Sequence, residues 1–437
     1  MKNNNLNLSP RPLHRRGSLC TVNLVETDNY PSLHPSPVER GRGRGFSAMK
    51  TYIVAVFLLT STCVNVQSQQ QSVKTGAERT EEYYPALKNK RVAVMSNNTG
   101  MVGNEHLVDM LKRDSINLVA IFAPEHGFRG TADAGEHVSS SVDEKTGVPI
   151  LSLYDGKGGK PNDVSMRLFD VMIIDIQDVG LRFFTYYITM FRLMDACAKH
   201  GKKLMVLDRP NPNGHYVDGP ILDMKYKSGV GWLPIPVVHG LTLGELACMI
   251  NGEKWLPEGK ICDLTIVKCL NYTHQTLYQL PVAPSPNLPN MKSVYLYPST
   301  CLFEGTALSL GRGTDFPFQV YGHPDMKNCT FSFTPRSVSG AKNPPLLNKL
   351  CYGVDLRNIP DKDIWEKGFD LSYIIDAYNN LKISDKFFTP FFEKLVGVDY
   401  VRKMIHEGKS AAQIKAMWKD DVEKFKQQRH PYLLYEE

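Results

Sequence analysis

The residues best equipped for acid–base chemistry in this 437-residue chain follow directly on short apolar runs. Leu118-Val119-Ala120-Ile121-Phe122-Ala123 leads into Pro124-Glu125-His126-Gly127, which fixes a carboxyl group between a stiff proline and a glycine. Burial at such a position raises a carboxyl pKa toward neutrality, as a general acid requires, so Glu125 is the first catalytic candidate; the alternative is a solvated loop charge. His126 beside it is either a substrate contact or a hydrogen-bonded structural imidazole. Val171-Met172-Ile173-Ile174 leads into Asp175-Ile176-Gln177-Asp178, followed by Arg182 and by Phe183-Phe184-Thr185-Tyr186. Carboxylates, an amide and a guanidinium beside flat apolar rings suit a carbohydrate better than a phosphate. Asp178 is the candidate second carboxylate, with Asp175, Gln177, Arg182 and Tyr186 as substrate contacts. Either acid could instead cap the next helix or pair with Arg182. Asn97 ends the run from Arg91, and Asp208-Arg209-Pro210-Asn211 ends the run Leu204 to Leu207. There, Asp208, Arg209 and Asn211 either reach a ligand or the first two pair with each other. Far downstream, Glu304 and Arg312 lie on Gly-rich segments, as substrate contacts or as an interdomain ion pair in a tight turn.

Something must gather these scattered groups. The five apolar runs, the fifth being Pro149 to Leu153 before Tyr154-Asp155-Gly156, are apolar on both faces and separated by helical stretches. That pattern predicts the parallel strands of a doubly wound α/β sheet with right-handed crossovers, in which ligands sit beyond the carboxyl ends of the strands. Helical periodicity covers Glu105 to Arg113, Tyr187 to His200 and Thr242 to Asn251, and Asp263 to Val267 reads as another strand. Four prolines between Pro281 and Asn290 forbid a regular element. A domain boundary is placed near Asn271, giving an α/β domain over 77–270 and a smaller α+β domain over 271–437. The latter has helices predicted at Leu371 to Leu381, Pro390 to Val396 and Ser410 to Gln428. The last opens with the capping box Ser410-Ala411-Ala412-Gln413.

The first 48 residues, rich in Arg, Asn, Pro and Ser, carry no apolar periodicity and read as an extension that does not fold. Residues 49–68 have the layout of a secretory signal peptide: Lys50, an apolar run from Tyr52 to Leu59, and small residues near Ser68. Cys63 raises the option of a lipoprotein, but Thr60-Ser61-Thr62 before it lacks the expected Leu. An exported location, periplasmic or extracellular, is therefore expected. Residues 51–437 hold 43 basic against 42 acidic side chains, so the formal net charge of +6 is no nucleic-acid signature. No apolar stretch of the mature chain approaches the ~20 residues of a transmembrane helix. Beyond residue 68 seven cysteines remain without a C-x-x-C pair, and read mostly as small core residues with room for one disulfide. The chain lacks G-x-S-x-G, G-x-x-x-x-G-K-[ST], G-x-G-x-x-G after a strand and H-E-x-x-H. His126, His137, His215 and His239 are scattered without metal-ligand spacing. Neither a metal nor another cofactor is expected.

Six segments occur in order along the chain: Ala123 to Gly130, Asp175 to Tyr186, Leu207 to Pro212, His239 to Ala247, Pro284 to Pro289 and Glu304 to Phe318. Together they resemble the family once called DUF1343 and now known as the NamZ exo-β-N-acetylmuramidases. The resemblance implies an exported bacterial glycosidase that removes N-acetylmuramic acid (MurNAc) from the non-reducing end of peptidoglycan fragments. It further implies a Rossmann-like N-terminal domain bearing the active site, a smaller C-terminal domain closing the cleft, and Glu125 as the favoured catalytic residue, with His239 among the substrate contacts. Ala307 and Leu310 depart from the Asn and Glu that the family often carries. Two other classes remain open on the residues alone: a wall-binding protein that recognises muropeptides without cleaving them, and an exported amidase or esterase.

Overall fold

The structure, a computed structural model, describes residues 72–125, 127–128, 141–153 and 159–437. The expectations for residues 1–48, the signal segment 49–68 with Cys63, and His126 lie outside them.

Seven strands form the central sheet: β1 (Val92–Ser96), β2 (Leu118–Ala123), β3 (Ser141–Val142), β4 (Pro149–Ser152), β5 (Val171–Asp175), β6 (Lys203–Leu207) and β7 (Asp263–Val267). Their spatial order is β3-β4-β2-β1-β5-β6-β7, and every neighbouring pair is parallel except the short edge pair β3–β4. The six parallel strands thus run third, second, first, fourth, fifth, sixth, the order of a Rossmann sheet, with the reversal of winding between β1 and β5. The predicted strand Asp263 to Val267 is the sheet's far edge.

The apolar runs work because each strand feeds two cores. Ala93, Met95, Met172, Ile174, Leu204 and Val206 belong to one, while their alternate neighbours Val92, Val94, Val171, Ile173, Met205 and Leu207 belong to the other. Adjacent Ile173 and Ile174 are both fully enclosed on opposite faces, each contributing about 1.5–3 kcal/mol relative to exposure. The smaller core is closed by the helices Thr80–Leu87 and Leu107–Arg113. The larger is closed by Tyr186–His200 and Leu243–Gly252 and runs without a break into the C-terminal domain, through Leu296, Phe303, Phe318, Phe392 and Trp418.

That smaller domain carries an antiparallel sheet with β10 (Cys351–Asp355) between β8 (Val320–His323) and β9 (Phe331–Phe333). Around it lie the helices Met291–Thr300, Ser372–Leu381 and Phe391–Val396. The long C-terminal helix expected from Ser410 to Gln428 is instead two helices, Ala411–Lys415 and Lys419–Arg429, separated by a 3-10 turn at Ala416–Trp418. The Ser410/Gln413 capping box forms as expected. The break turns Trp418 inward, where its indole N–H donates to Asp218 at 2.9 Å. All seven cysteines in the described residues are free thiols, six of them buried, which corrects the allowance made for a disulfide. Among the described residues no helix is long and apolar enough to cross a membrane.

Candidate active site

Two residues past the end of β2, Glu125 reaches a cleft at the carboxyl edge of the sheet. The segment after β5 supplies Phe183, Phe184, Thr185 and Tyr186, and the Pro-rich loop supplies Ser285, Asn287 and Leu288. The C-terminal domain contributes Tyr297, Glu304, Arg312 and Phe318, and Val230 completes the wall. Glu125 is half-buried, and its Oε2 accepts the Thr185 hydroxyl at 3.0 Å. The walls are aromatic: the Tyr297 ring meets Phe183 at 5.3 Å and Phe318 at 4.7 Å edge-on, and Phe184 meets Tyr186 at 4.9 Å. The Tyr186 hydroxyl accepts from Asn97 Nδ2 at 2.8 Å and donates to the Pro284 carbonyl at 3.3 Å, tying the β1 end to the Pro-rich loop. Burial, then the negative charges of Glu125 and Asp178, push its pKa upward. Glu304 Oε1 accepts both Arg312 Nε at 2.9 Å and Nη2 at 2.5 Å. Four of the expected residues therefore line one cleft: Glu125, Tyr186, Glu304 and Arg312. The Glu304–Arg312 pair joins two segments of the same domain, which corrects its reading as an interdomain pair.

The other candidates sit around the cleft and hold the strand ends together. Asn97, directly behind Tyr186, accepts Thr99 N and Oγ1 through its Oδ1. Arg209 pairs with Asp175, not with Asp208, through Nε at 2.6 Å and Nη2 at 3.0 Å in a fully enclosed bridge. Gln177 donates to the carbonyls of Asp178 and Pro210. Asp208 caps the helix Leu243–Gly252, accepting from Gly244 N, the Thr242 hydroxyl and the Tyr435 hydroxyl. A Cβ at Gly244 would come within 2.8 Å of that carboxyl, so only glycine permits the approach. Burial raises the Asp208 pKa to about 6 despite these donors. Asn211 accepts from Asn213 N and donates to the Leu241 carbonyl. His239 Nδ1 accepts from Leu241 N, and burial, aided by Arg429 and Arg182, lowers its pKa to about 3, so it is neutral.

Arg182 neither binds a carboxylate nor lines the cleft. Fully buried, it donates to the carbonyls of Pro220 and Ile235 through Nη1 and to those of Leu395 and Val396 through Nη2. The last two end the helix Phe391–Val396, whose negative dipole end faces the cation. Gly397 follows at φ 86°, and a Cβ there would lie 2.5 Å from Arg182 Nη2. Burial lowers the Arg182 pKa to about 10. Asp178, the expected second carboxylate, accepts Gly180 N at 2.8 Å through Oδ1, while Oδ2 is enclosed without a hydrogen-bond partner. Burial pushes its pKa up to about 7. It stands close enough to Tyr186 to affect the phenol but does not line the cleft. Asp178 and Asp208 are thus the enclosed carboxyls that burial pushes up, whereas Glu125, where sequence reasoning expected burial, is half-buried.

Sequence reasoning assigned no role to Ser285, Asn287, Leu288, Tyr297, Phe318 or Val230. Pro284 to Pro289 at least stood out as a motif. Phe318 ends the motif Glu304 to Phe318, while Tyr297 lies in a segment indistinguishable from ordinary core.

Residues 92–292 match the family model for the N-terminal domain of the exo-β-N-acetylmuramidase NamZ, and residues 295–435 match that for its C-terminal domain. The chain belongs to the NamZ exo-β-N-acetylmuramidase family. A curated NamZ-family relative, the peptidoglycan β-N-acetylmuramidase NamZ of Bacillus subtilis strain 168, is 38% identical over 392 residues, covering 85% of this chain and 93% of that protein. A solved DUF1343 family protein from Bacteroides fragilis NCTC 9343 shares 66% identity at a TM-score of 0.79, covering 84% of this chain and 100% of that one. A second from the same strain shares 29% at a TM-score of 0.71, covering 83% and 99%.

Proposed function

We infer that this protein is an exo-acting glycoside hydrolase that releases MurNAc from the non-reducing end of peptidoglycan fragments. The observation that carries the reading is the gathering of Glu125, Tyr186, Glu304 and Arg312 on one aromatic-walled cleft beyond the strand ends, in a chain of the NamZ family. Hydrolysis of a β-glycosidic bond needs a proton for the leaving oxygen and support for an oxocarbenium-like transition state. Glu125 is the group proposed to give that proton, with the Thr185 hydroxyl orienting its carboxyl. Asp178 does not line the cleft and Glu304 is held by Arg312, so we assign the second function to the substrate's own 2-acetamido group. Its carbonyl oxygen attacks the anomeric carbon as the glycosidic bond breaks and Glu125 protonates the departing oxygen. Glu125, now a carboxylate, takes a proton from the water that opens the cyclic intermediate, and MurNAc leaves. Asp178 supports this site from behind Tyr186.

The reading places the protein outside the cytoplasm, and we propose residues 49–68 as the signal that takes it there; N-terminal sequencing of protein from the native host tests this. Incubating the enzyme with fragments capped by MurNAc or by GlcNAc and assaying free sugar tests the activity. MurNAc release from the first alone is expected. Binding without release would identify a wall-binding protein, and release of peptide or acyl groups an amidase or esterase.

A further inference from the structure

MurNAc differs from GlcNAc by a lactyl ether on O3, which ends in a carboxylate. The cleft already holds two carboxyl groups, Glu125 and Glu304, so an anionic sugar entering it meets like charge unless something offsets it. Among the described residues that line the cleft, the cation is Arg312. We propose that Arg312, positioned by Glu304, is the specificity-determining residue that reads the lactyl carboxylate. The proposal rests on the glycosidase reading above, deepening it by assigning one part of the substrate to one side chain.

Three observations support it. Arg312 has five N–H donors, of which Glu304 takes two, one on Nε and one on Nη2. Among the described residues none accepts from the remaining three, although the side chain is only 19% exposed. A largely enclosed guanidinium with spare donors on a cleft wall is set for the two-pronged hydrogen bonding that carboxylates accept. Second, the Phe318 ring lies under the guanidinium at 5.0 Å, and with Glu304 it fixes the plane of the fork before a ligand arrives. Third, that same ring and Tyr297 form the aromatic wall of the cleft, so the cation adjoins the apolar surface on which a sugar ring packs. Glu304 is then a positioning residue that holds Arg312 and partly neutralises it, leaving a site suited to a monoanion.

The test compares a chromogenic β-MurNAc glycoside with its lactyl methyl amide, which keeps the shape and loses the charge. Wild-type enzyme is expected to favour the free acid by about 10- to 100-fold in kcat/KM, the size of a charge-assisted hydrogen bond lost from an enclosed site. Arg312→Gln should reduce that preference to under about threefold, Arg312→Lys should restore part of it, and Glu304→Gln should keep it. A wild type indifferent to the charge, or an Arg312→Gln enzyme that still prefers the acid, overturns the proposal. Calorimetric binding of free MurNAc and of its methyl amide to the wild type gives the same comparison without turnover and without any variant having to fold. If the wild type cleaves neither glycoside, the glycosidase reading fails, and the binding preference alone then decides for or against Arg312.

Discussion

Replacing Arg182 with Met keeps most of the side chain's volume and removes its four donated hydrogen bonds. Of the four carbonyls, Ile235 O also accepts from Leu222 N, leaving those of Pro220, Leu395 and Val396 without a replacement donor. An orphaned buried acceptor costs about 1–3 kcal/mol. Three of them sum to several kcal/mol before relaxation, and water entering beside the helix end recovers part of it, so a loss of about 3–5 kcal/mol is expected. Urea denaturation followed by tryptophan fluorescence measures this directly, since buried Trp418 belongs to the same continuous core as the segment that Arg182 precedes. The midpoint should fall with little change in slope. The segment Phe183 to Tyr186 lines the cleft immediately after Arg182, so kcat/KM should drop as well. A destabilisation below about 1 kcal/mol would refute the reasoning, because it would mean that these carbonyls find other donors at no cost.

Asp178→Asn tests the raised carboxyl pKa through pH. With a folded pKa near 7 against an unfolded value near 3.8, the native state holds a proton that the unfolded state has lost, so wild-type stability falls as pH rises between those values. Relative to the Asn variant, the wild type should therefore lose stability from about pH 4 to 7 and level off above 7; a difference constant over that range contradicts the assignment. Thr185→Val removes the hydroxyl that Glu125 accepts, and should lower kcat about 3- to 10-fold, whereas an unchanged kcat would show that Thr185 does not orient Glu125. Tyr435→Phe deletes the hydroxyl donated to Asp208, which should cost about 1–3 kcal/mol in thermal or urea unfolding and leave MurNAc specificity intact.

The parallel sheet was legible because strands buried on both faces must be apolar throughout: Val92–Ser96 and Val171–Asp175 have no exposed residue at all. The edge strand Ser141–Val142 was not, being two residues long and exposed. The polar strand ends drew attention correctly as a group, yet in this sheet a polar residue there either lines the cleft or ties the loops together, and sequence spacing does not separate the two. Arg209 finds Asp175 across 34 positions, when Asp208 was adjacent. Arg182 ends among backbone carbonyls, acceptors that every residue carries and that leave no mark in sequence. In the C-terminal helix, apolar periodicity continued through Ala416–Trp418, and Asp218, which receives the Trp418 indole at the break, is 200 positions away in sequence. Glu125 stood out because proline and glycine flank it, whereas Tyr297 and Phe318 acquire a role only when the domains close a cleft.

The most direct measurement is MurNAc release by Glu125→Gln, an isosteric change that removes the transferable proton. Loss of about 100- to 10,000-fold in kcat, the usual scale of general acid–base catalysis, with MurNAc binding by calorimetry within a few fold of wild type, is the predicted result. Turnover within tenfold of wild type, from a variant that still binds MurNAc, would contradict the central claim and place the proton donor elsewhere in the cleft.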